Sequence, residues 1–425
     1  MEFFKTWGAF MVEGSRAFAR WEVENARVIL GDRKRIWLLA LLLLPVLLGG
    51  WAFADEIGQA LPATIGGKEA YSPSYYSLYI FCVSIFIGVG AGLISGCIGA
   101  GGGFIIAPAL MSAGVKGILA VGTDLFHIFA KAIMGSVLHR KMGNVSVPLA
   151  LVFLIGAIIG TTVGAGINRA LYNINPVLSD AFITTVYTVM LGFLGFYGMF
   201  DYFNAKKAGK AAGGHDTKEG AAMTGLARKL QAVNLPPMVT FDQGLIPGGR
   251  KISWLFLVLS GALVGMAAGI MGVGGGFLTF PIFVYVLGVS SLTTVGTDIF
   301  QIVFTAGYGA ITQYAIYGFI FYTLAMGMLL GSLLGIQIGA LVTKVVPGIT
   351  IRGFFALSVM AGFVNRFFAL PKKLVSMGYL PETWLGATKM MDKIGMYLFF
   401  IVITLFGLWV FSAFFRNIKV LKGEA

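Results

Sequence analysis

The sequence predicts an all-α polytopic membrane protein: two inverted repeats of transmembrane helices with Gly-rich broken helices, plus an extra N-terminal helical region. Three observations predict it. The 425 residues are 57% hydrophobic and 12% charged, with several apolar stretches near the roughly 20 residues that cross a bilayer. A glycine-rich stretch interrupts the apolar sequence twice, at corresponding places. The basic residues gather in the tails and one linker, as is typical of cytoplasmic loops.

Composition and spacing argue against several classes of protein. The formal net charge is +13, but its distribution follows membrane topology, so we expect no nucleic-acid partner. Cys82 and Cys97 both lie in apolar stretches, which predicts packing within the membrane and no disulfide framework. The three histidines have no cysteine partners at metal-ligand spacing, and the sequence offers no nucleophile–base pair. We therefore expect no metal, no cofactor and no enzymatic activity.

The chain divides into six regions. Residues 1–35 alternate aromatic and charged residues and predict a cytoplasmic or interfacial amphipathic segment. Residues 36–76 predict a first transmembrane helix and an external loop; Ala52-Phe53-Ala54 resembles a signal-peptidase site, but the preceding region is too long for an ordinary signal peptide. The other regions are transmembrane repeat 1 (77–200), a cytoplasmic linker (201–251), transmembrane repeat 2 with the final helices (252–414) and a cytoplasmic tail (415–425).

Apolar segments follow one another in the same order in both repeats. In repeat 1 they are Ser77–Gly96, the short Phe104–Gly114, Gly117–Leu138, Val147–Ile167 and Leu178–Phe200. In repeat 2 they are Ile252–Met271, the short Phe277–Leu287, Leu292–Gln313 and Gly318–Val342, followed by Ile349–Phe368 and Met391–Phe414. The offset between corresponding glycines grows from 173 at Gly96 and Gly269 to 175 at Gly156 and Gly331, which indicates two single-residue insertions.

Charge predicts the topology. An external loop and a cytoplasmic linker must be joined by an odd number of crossings, so the short segment Phe104–Gly114 has to cross or nearly cross. The same count gives the two repeats opposite orientations. Re-entrant short segments would instead place the Lys-rich linker outside, which is less favourable. The favoured topology has one cost, since it places Arg366, Lys372 and Lys373 on the external side.

The two interruptions are near-copies, which we call the first break, Gly96–Phe104, and the second break, Gly269–Phe277. Each ends in Gly-Gly-Gly-Phe and is followed by a proline and then by Val-Gly-Thr-Asp. Non-helical backbone is tolerated at membrane depth only where protein or a water-filled cavity covers it. Paired breaks in two repeats are the best sequence indication of a transporter's binding site.

A helix that restarts after a break presents free N–H groups and its positive dipole end, which together bind anions. The alternative is that glycine merely permits close helix crossing. A nucleotide P-loop is excluded because no Lys-Ser/Thr follows the glycines. The predicted substrate-binding residues are Gly99, Gly101, Gly102, Gly103, Phe104, Gly272, Gly274, Gly275, Gly276, Phe277, Thr123 and Thr297.

Polar residues follow each break at helical spacing. Asp124, His127 and Lys131 lie on one helix face, and the matching positions of repeat 2 are Asp298, Gln301 and Thr305. Intramembrane ionisable groups normally face a cavity or a partner, so we predict a polar pathway along Asp124, His127, Lys131, Asp298 and Gln301. Two roles remain open for the Thr-Asp pairs: capping of the broken helices and handling of a coupling ion.

Both breaks with their prolines, and both Val-Gly-Thr-Asp phrases, resemble the TauE/SafE family of permeases over roughly Ser77–Phe414. The resemblance implies a transporter of small sulfur-containing anions such as sulfite or organosulfonates, usually an exporter, in a bacterial-type inner membrane. The expected partners are the anionic substrate, the lipid bilayer and a coupling ion, a proton or Na⁺, and both termini are expected in the cytoplasm. The alternatives are an uncoupled, channel-like anion facilitator and a permease for another small organic anion.

The eight basic residues of the linker and its Gly-rich composition predict that it is cytoplasmic and poorly ordered around Gly209–Gly220. A cysteine introduced at Gly213 should therefore react with a membrane-impermeant reagent only after cells are permeabilised. Labelling in intact cells would contradict the predicted topology.

Overall fold

The computed structural model describes residues 78–98, 103–141, 145–207, 225–242, 248–342, 345–346 and 348–417. The predictions for residues 1–77, for the Gly-rich part of the linker and for the C-terminal tail lie outside these residues. Six helices of the described part are long and apolar enough to cross a membrane. The predicted all-α polytopic class is confirmed, with one small addition in the linker.

Repeat 1 comprises five helices, with boundaries close to those predicted. They are α1 (Leu78–Ile98), α2 (Gly103–Ser112), α3 (Gly117–Lys141), α4 (Val147–Ile174) and α5 (Pro176–Lys207). In the linker, α6 (Gly225–Ala232) precedes an antiparallel hairpin of β1 (Met238–Phe241) and β2 (Arg250–Ser253).

Repeat 2 has the same order of elements, and one more helix follows it. The helices are α7 (Trp254–Met271), α8 (Gly276–Pro281), α9 (Ser291–Tyr308), α10 (Tyr322–Val342), α11 (Gly348–Ser376) and α12 (Leu385–Arg416). Helix α8 continues as a π-helical turn, Ile282–Leu287, and α9 continues as another, Gly309–Tyr314.

These π turns account for both insertions. A π turn closes its hydrogen bond over one more residue than an α turn does. The offset between the repeats steps from 173 to 174 between Pro281 and Gly288, where the first π turn lies. The second step, to 175, falls between Asp298 and Gly331, an interval that contains the second π turn. Repeat 2 thus carries its extra residues inside helices.

Glycine stripes join the first helix of each repeat to the fourth helix of the other. A Cβ at Gly156, Gly160 or Gly164 of α4 would clash with successive backbone carbonyls of α7. In the same way Gly331, Gly335 and Gly339 of α10 lie against successive carbonyls of α1. Residue numbers rise together along both pairs, so α4 is parallel to α7 and α10 is parallel to α1. This is the close backbone approach that small residues allow in membranes.

Contacts of α3 and α9 show that the repeats are inverted. These two helices are antiparallel, since Leu125 packs on Gly309 and Phe129 packs on Gly307. Helix α3 runs parallel to α10, because Thr123 contacts Phe321 and His127 contacts the later Ser332. Helix α9 likewise runs parallel to α4, from the Thr297–Ser146 contact to the Arg169–Gln313 contact. One direction is therefore shared by α1, α3 and α10, and the opposite direction by α7, α9 and α4.

The helices define two ends of the bundle. At the linker end, α5 finishes and α7 begins; at the far end, the Gly117 N–H at the start of α3 donates to Asp180 at the start of α5. Helix α2 runs parallel to α11 towards the far end, with Phe104 beside Phe355 and Ser112 bonded to Asn365. The short segment therefore returns the chain to the end where α1 begins, as the odd count of crossings requires. Tyr379, 74% exposed after α11, marks the far end, and a cysteine there is the matched control that should be labelled in intact cells.

Pairing accounts for the basic residues that the topology places at the far end. Lys372 lies 2.7 Å from Asp392, and Lys373 lies 3.4 Å from Asp180. Arg366 is buried at 2% exposure. The two lysines at the far end are therefore paired with carboxylates, and Arg366 is buried within the bundle.

The described part of the linker holds the turn between α8 and α9. Gln231 donates to the Leu287 carbonyl and Arg250 donates to the Gly288 carbonyl, both at 2.7 Å. Asp242 accepts from the Ser290 N–H at 3.0 Å and from its hydroxyl at 2.7 Å. We call these four hydrogen bonds the linker clasp.

The glycine stripe gives a stability prediction. In Gly160→Ala the new methyl group meets the Ala262 backbone of α7, which cannot move aside without separating the helices, so we expect a loss of about 1–3 kcal/mol. Gly166→Ala on the same helix meets nothing within 4 Å and should leave stability unchanged or slightly raised. Unfolding temperatures of the two purified variants in one detergent make the comparison; equal values would contradict the packing described.

Candidate functional site

The second break is fully described and depends on three glycines in left-handed conformations. Helix α7 ends at Met271, and Gly272 (φ 80°) closes it with an N–H bond to the Ala268 carbonyl. Gly274 (φ 65°) and Gly275 (φ 88°) then turn the chain into α8. Residues with a Cβ rarely adopt this conformation, so the backbone itself requires the repeated glycines here.

The last carbonyls of α7 are satisfied by side chains from three other helices. Tyr187 of α5 donates to the Met271 carbonyl. Asn168 of α4 donates to the Ile270 carbonyl at 2.8 Å, and Tyr314 donates to the Gly269 carbonyl. These carbonyls have no partner within a helix that ends at Met271. These three residues were not predicted, because each is an isolated polar residue in an apolar helix.

The two breaks lie against each other. A Cβ at Gly103 would lie 3.1 Å from both the Cα and the carbonyl oxygen of Val273. Gly272 packs in turn on the Val121 backbone of α3. Gly103, Phe104, Gly276 and Phe277 are all buried, whereas Gly99, Gly101 and Gly102 lie outside the described residues.

The helices α2 and α8 begin at this junction and leave it in opposite directions. Helix α2 runs to the far end, and α8 with its π turn runs to the linker clasp. In α8 the first N–H groups bonded within the helix are those of Leu278 and Thr279, both to the Gly275 carbonyl at 2.9 Å. The N–H groups of Gly276 and Phe277 precede that ladder. The positive ends of two helical segments therefore face each other near the middle of the bundle.

Thr123 and Thr297 have the same structural role in the two repeats. The Thr123 hydroxyl oxygen accepts the Phe321 N–H at 2.9 Å, directly before α10. The Thr297 oxygen accepts the Ser146 N–H at 3.0 Å, directly before α4. Both accept N–H groups, as in the capping interpretation, but at the start of the fourth helix of the opposite repeat rather than at the broken helices α2 and α8.

The polar residues of α3 form a buried, charged group in repeat 1. Asp124 and His127 have no exposed surface, and 3.9 Å separates the Asp124 Oδ1 and His127 Nδ1 atoms. His127 Nε2 is 2.9 Å from the Ser332 hydroxyl, and Lys131 Nζ donates to Ser95 at 3.2 Å. Neither carboxylate oxygen of Asp124 accepts a hydrogen bond of ordinary geometry from the described part of the chain. Asp124 is thus a buried carboxylate with little compensation.

The matching residues of α9 are better satisfied. Gln301 donates to Asp298 Oδ1 at 2.9 Å and accepts from the Thr305 hydroxyl at 2.7 Å. The Thr279 hydroxyl of α8 lies beside the same carboxylate. In repeat 1 the corresponding residue of α2 is Ile106, which has no hydroxyl. The predicted pathway residues therefore lie beside the junction of the breaks in both repeats, and of the two carboxylates Asp124 is the one with no hydrogen bond of ordinary geometry from the described residues.

Arg366 is the charged residue that the sequence analysis left outside the site. It packs at the end of α2, where its Nη2 donates to the Ser112 hydroxyl at 2.5 Å. Its signal in the sequence is an arginine within an apolar segment, which the topology argument treated only as a charge on the wrong side. Among the residues described, no group of three or more His, Cys, Asp or Glu side chains is placed to hold a metal ion.

Comparisons with known proteins agree with this architecture. The family described as Sulfite exporter TauE/SafE matches residues 84–366. The chain is similar to the probable membrane transporter protein YjnA of Bacillus subtilis (strain 168), 25% identical over 264 residues, or 60% of this chain and 87% of that protein. It is also similar to the probable membrane transporter protein YunE of the same organism, 38% identical over 102 residues, or 24% of this chain and 37% of YunE. No solved structure matches.

The threonine contacts predict a structural cost for isosteric substitutions. Thr123→Val and Thr297→Val each leave a backbone N–H without its acceptor, so we expect each to lower stability by about 1–3 kcal/mol. Thr404→Val is the matched control, because the Thr404 hydroxyl bonds only its own helix, at the Phe400 carbonyl. Unfolding temperatures check this. Full stability in both variants, with loss of substrate binding, would instead assign the two hydroxyls to the substrate.

Proposed function

Because the chain belongs to the TauE/SafE family of membrane transporters, we propose that it is a secondary transporter that exports small sulfur-containing anions such as sulfite or organosulfonates. In this proposal the substrate binds between the two breaks, and access alternates between the linker end and the far end. The linker and both termini are cytoplasmic and the far end is external, in a bacterial inner membrane. The sequence contains no nucleotide-binding loop, so an ion gradient or the membrane potential drives transport.

The observation that carries the proposal is the contact between the breaks, at Gly103 and Val273. An anion cannot enter an apolar interior without compensation. Helices α2 and α8 both start at this junction, so their free N–H groups and positive dipole ends meet at one place. Since the segments point away from each other, movement of either one opens the site towards one side only.

The two carboxylates have a separate role in this mechanism. Asp124 and Asp298 would repel a bound anion, so we assign them to a coupling ion, a proton or Na⁺, beside the substrate. Asp124 has no hydrogen-bond donor of ordinary geometry among the described residues, and a proton or a cation there removes the cost of a buried, unpaired charge. Lys131 supplies a positive charge on the same face of α3.

Nearly isosteric substitutions separate coupling from structure. In Asp124→Asn and Asp298→Asn the carboxylate charge is lost while size and hydrogen-bonding capacity remain. We expect substrate binding to persist and gradient-driven flux of sulfite or sulfoacetate to fall by at least about tenfold, measured in proteoliposomes at matched protein density. The larger loss is expected at Asp124, because Asp298 already has Gln301 as a donor.

Wild-type flux in both variants would remove coupling from the mechanism and leave the two residues structural. Wild-type flux that ignores imposed gradients and does not saturate with substrate would favour the uncoupled facilitator. Saturable flux of a carboxylate, but of neither sulfur anion, would favour a permease for another small organic anion.

A further inference from the structure

Arg366 is a cation buried inside a segment long and apolar enough to cross the membrane. It is 2% exposed and lies ten residues before Ser376, the end of α11, or about 15 Å along a helix. An ionisable residue at such a depth is costly and is normally retained for function. The groups that contact its guanidinium therefore bear on its function.

The direct partners of Arg366 are neutral. Its Nε donates to Asn365 Oδ1 at 2.7 Å, and its Nη2 donates to the Ser112 hydroxyl. Asn365 and Ser112 also bond each other, at 3.1 Å. Among the described residues no carboxylate lies within ion-pair distance of the guanidinium. Its hydrogen-bond partners leave its positive charge without a direct counter-ion, and Asp392 and Asp180 act on it only from beyond ion-pair distance.

The acidic residues nearby are already paired with lysines. Asp180 bonds the Gly117 N–H at 2.7 Å and lies 3.4 Å from Lys373, and Asp392 lies 2.7 Å from Lys372. In the part of the chain that the structure describes, this far-end group holds three basic side chains and two acidic ones. The group therefore has a net charge of +1. Of its three basic residues, Arg366 is the most deeply buried and is the one not paired with a carboxylate.

Arg366 is linked to the junction of the breaks by two elements. Helix α2 starts at the junction and ends at Ser112, against the guanidinium. Tyr187 donates to the Met271 carbonyl at the second break and lies in the neighbourhood of both Arg366 and Asp124. The cation thus lies between the site proposed above and the far end of the bundle.

We propose that Arg366, with Ser112 and Asn365, is a second binding station for the transported anion, between the breaks and the far end. The inference rests on the proposed function and identifies the group that neutralises the anion on that half of its path. A guanidinium presents a planar fork of N–H donors, which matches two oxygens of a sulfonate or sulfite. The anion serves as the missing counter-ion while it occupies the station.

The test compares Arg366→Gln and Arg366→Lys with Lys372→Gln in the full chain. Lys372→Gln removes the same charge six residues away, from a side chain that is 45% exposed and outside the station. Sulfite and sulfoacetate are the probes, in two assays: the rise in unfolding temperature that each ligand produces, and flux into proteoliposomes. We expect Arg366→Gln to raise KM by at least about tenfold and to lose most of the ligand-induced rise in Tm. Arg366→Lys should lie between Arg366→Gln and wild type, and Lys372→Gln should stay within about twofold of wild type.

A purely structural Arg366 gives a different result, in which Arg366→Gln lowers the ligand-free Tm and the maximal flux while KM is unchanged. That result, or a wild-type KM in Arg366→Gln, overturns the station and leaves the proposed function standing. Ligand-induced stabilisation that depends on Arg366, in a wild-type protein with no flux of either anion, supports the station and overturns the proposed transport. If wild type shows neither stabilisation nor flux, both are overturned.

Discussion

Peptide groups that leave a helix inside a bilayer need partners that lipid does not provide, and the architecture of this protein depends on meeting that need. Where α7 ends, its last carbonyls receive bonds from Tyr187, Asn168 and Tyr314. Those side chains come from three different helices of both repeats. A broken helix therefore forces its neighbours to converge on it, and the positions of α4, α5 and α9 follow from the presence of the break.

Convergence of this kind requires the helices to approach closely, and the glycine stripes permit it. They also hold the two repeats together, since α1 packs on α10 and α7 packs on α4. Thr123 and Thr297 also link the repeats, because each accepts one backbone N–H from the other repeat. Each repeat therefore packs on the first helix of the other and accepts an N–H group at the start of the other's fourth helix. The second break is covered by side chains of both repeats.

Much of this architecture was predictable from the sequence, because membrane helices, glycine breaks and repeat symmetry leave local patterns. The opposite orientation of the repeats followed from charge, and the returning direction of α2 followed from the count of crossings. The sequence indicated the π turns only through the change in residue offset between the two repeats, because a residue inserted within a helix leaves no distinctive composition. The linker hairpin, Met238–Phe241 with Arg250–Ser253, was not predicted, because its short strands lie within a polar segment.

The site was less predictable than the fold, since a site depends on which helices meet. The sequence placed Asp124, His127 and Lys131 on one face. It did not show that Asp298 has Gln301 as a donor while Asp124 accepts no hydrogen bond of ordinary geometry from the described residues. Thr123 and Thr297 were assigned to the substrate or to caps within their own repeat. Their acceptance of N–H groups from the opposite repeat follows only from the packing of α3 beside α10 and of α9 beside α4.

The linker clasp distinguishes the two repeats, which inverted symmetry would otherwise make equivalent. If two repeats were identical, exchanging their conformations would convert an inward-facing molecule into an outward-facing one of equal energy. The four hydrogen bonds of the clasp hold the turn after α8, and the linker occurs once in the chain, so the turn after α2 cannot have the same support. In the alternating-access cycle proposed above, the two facing states would therefore differ in free energy even without substrate, and the clasp would set a resting orientation from outside the proposed substrate path.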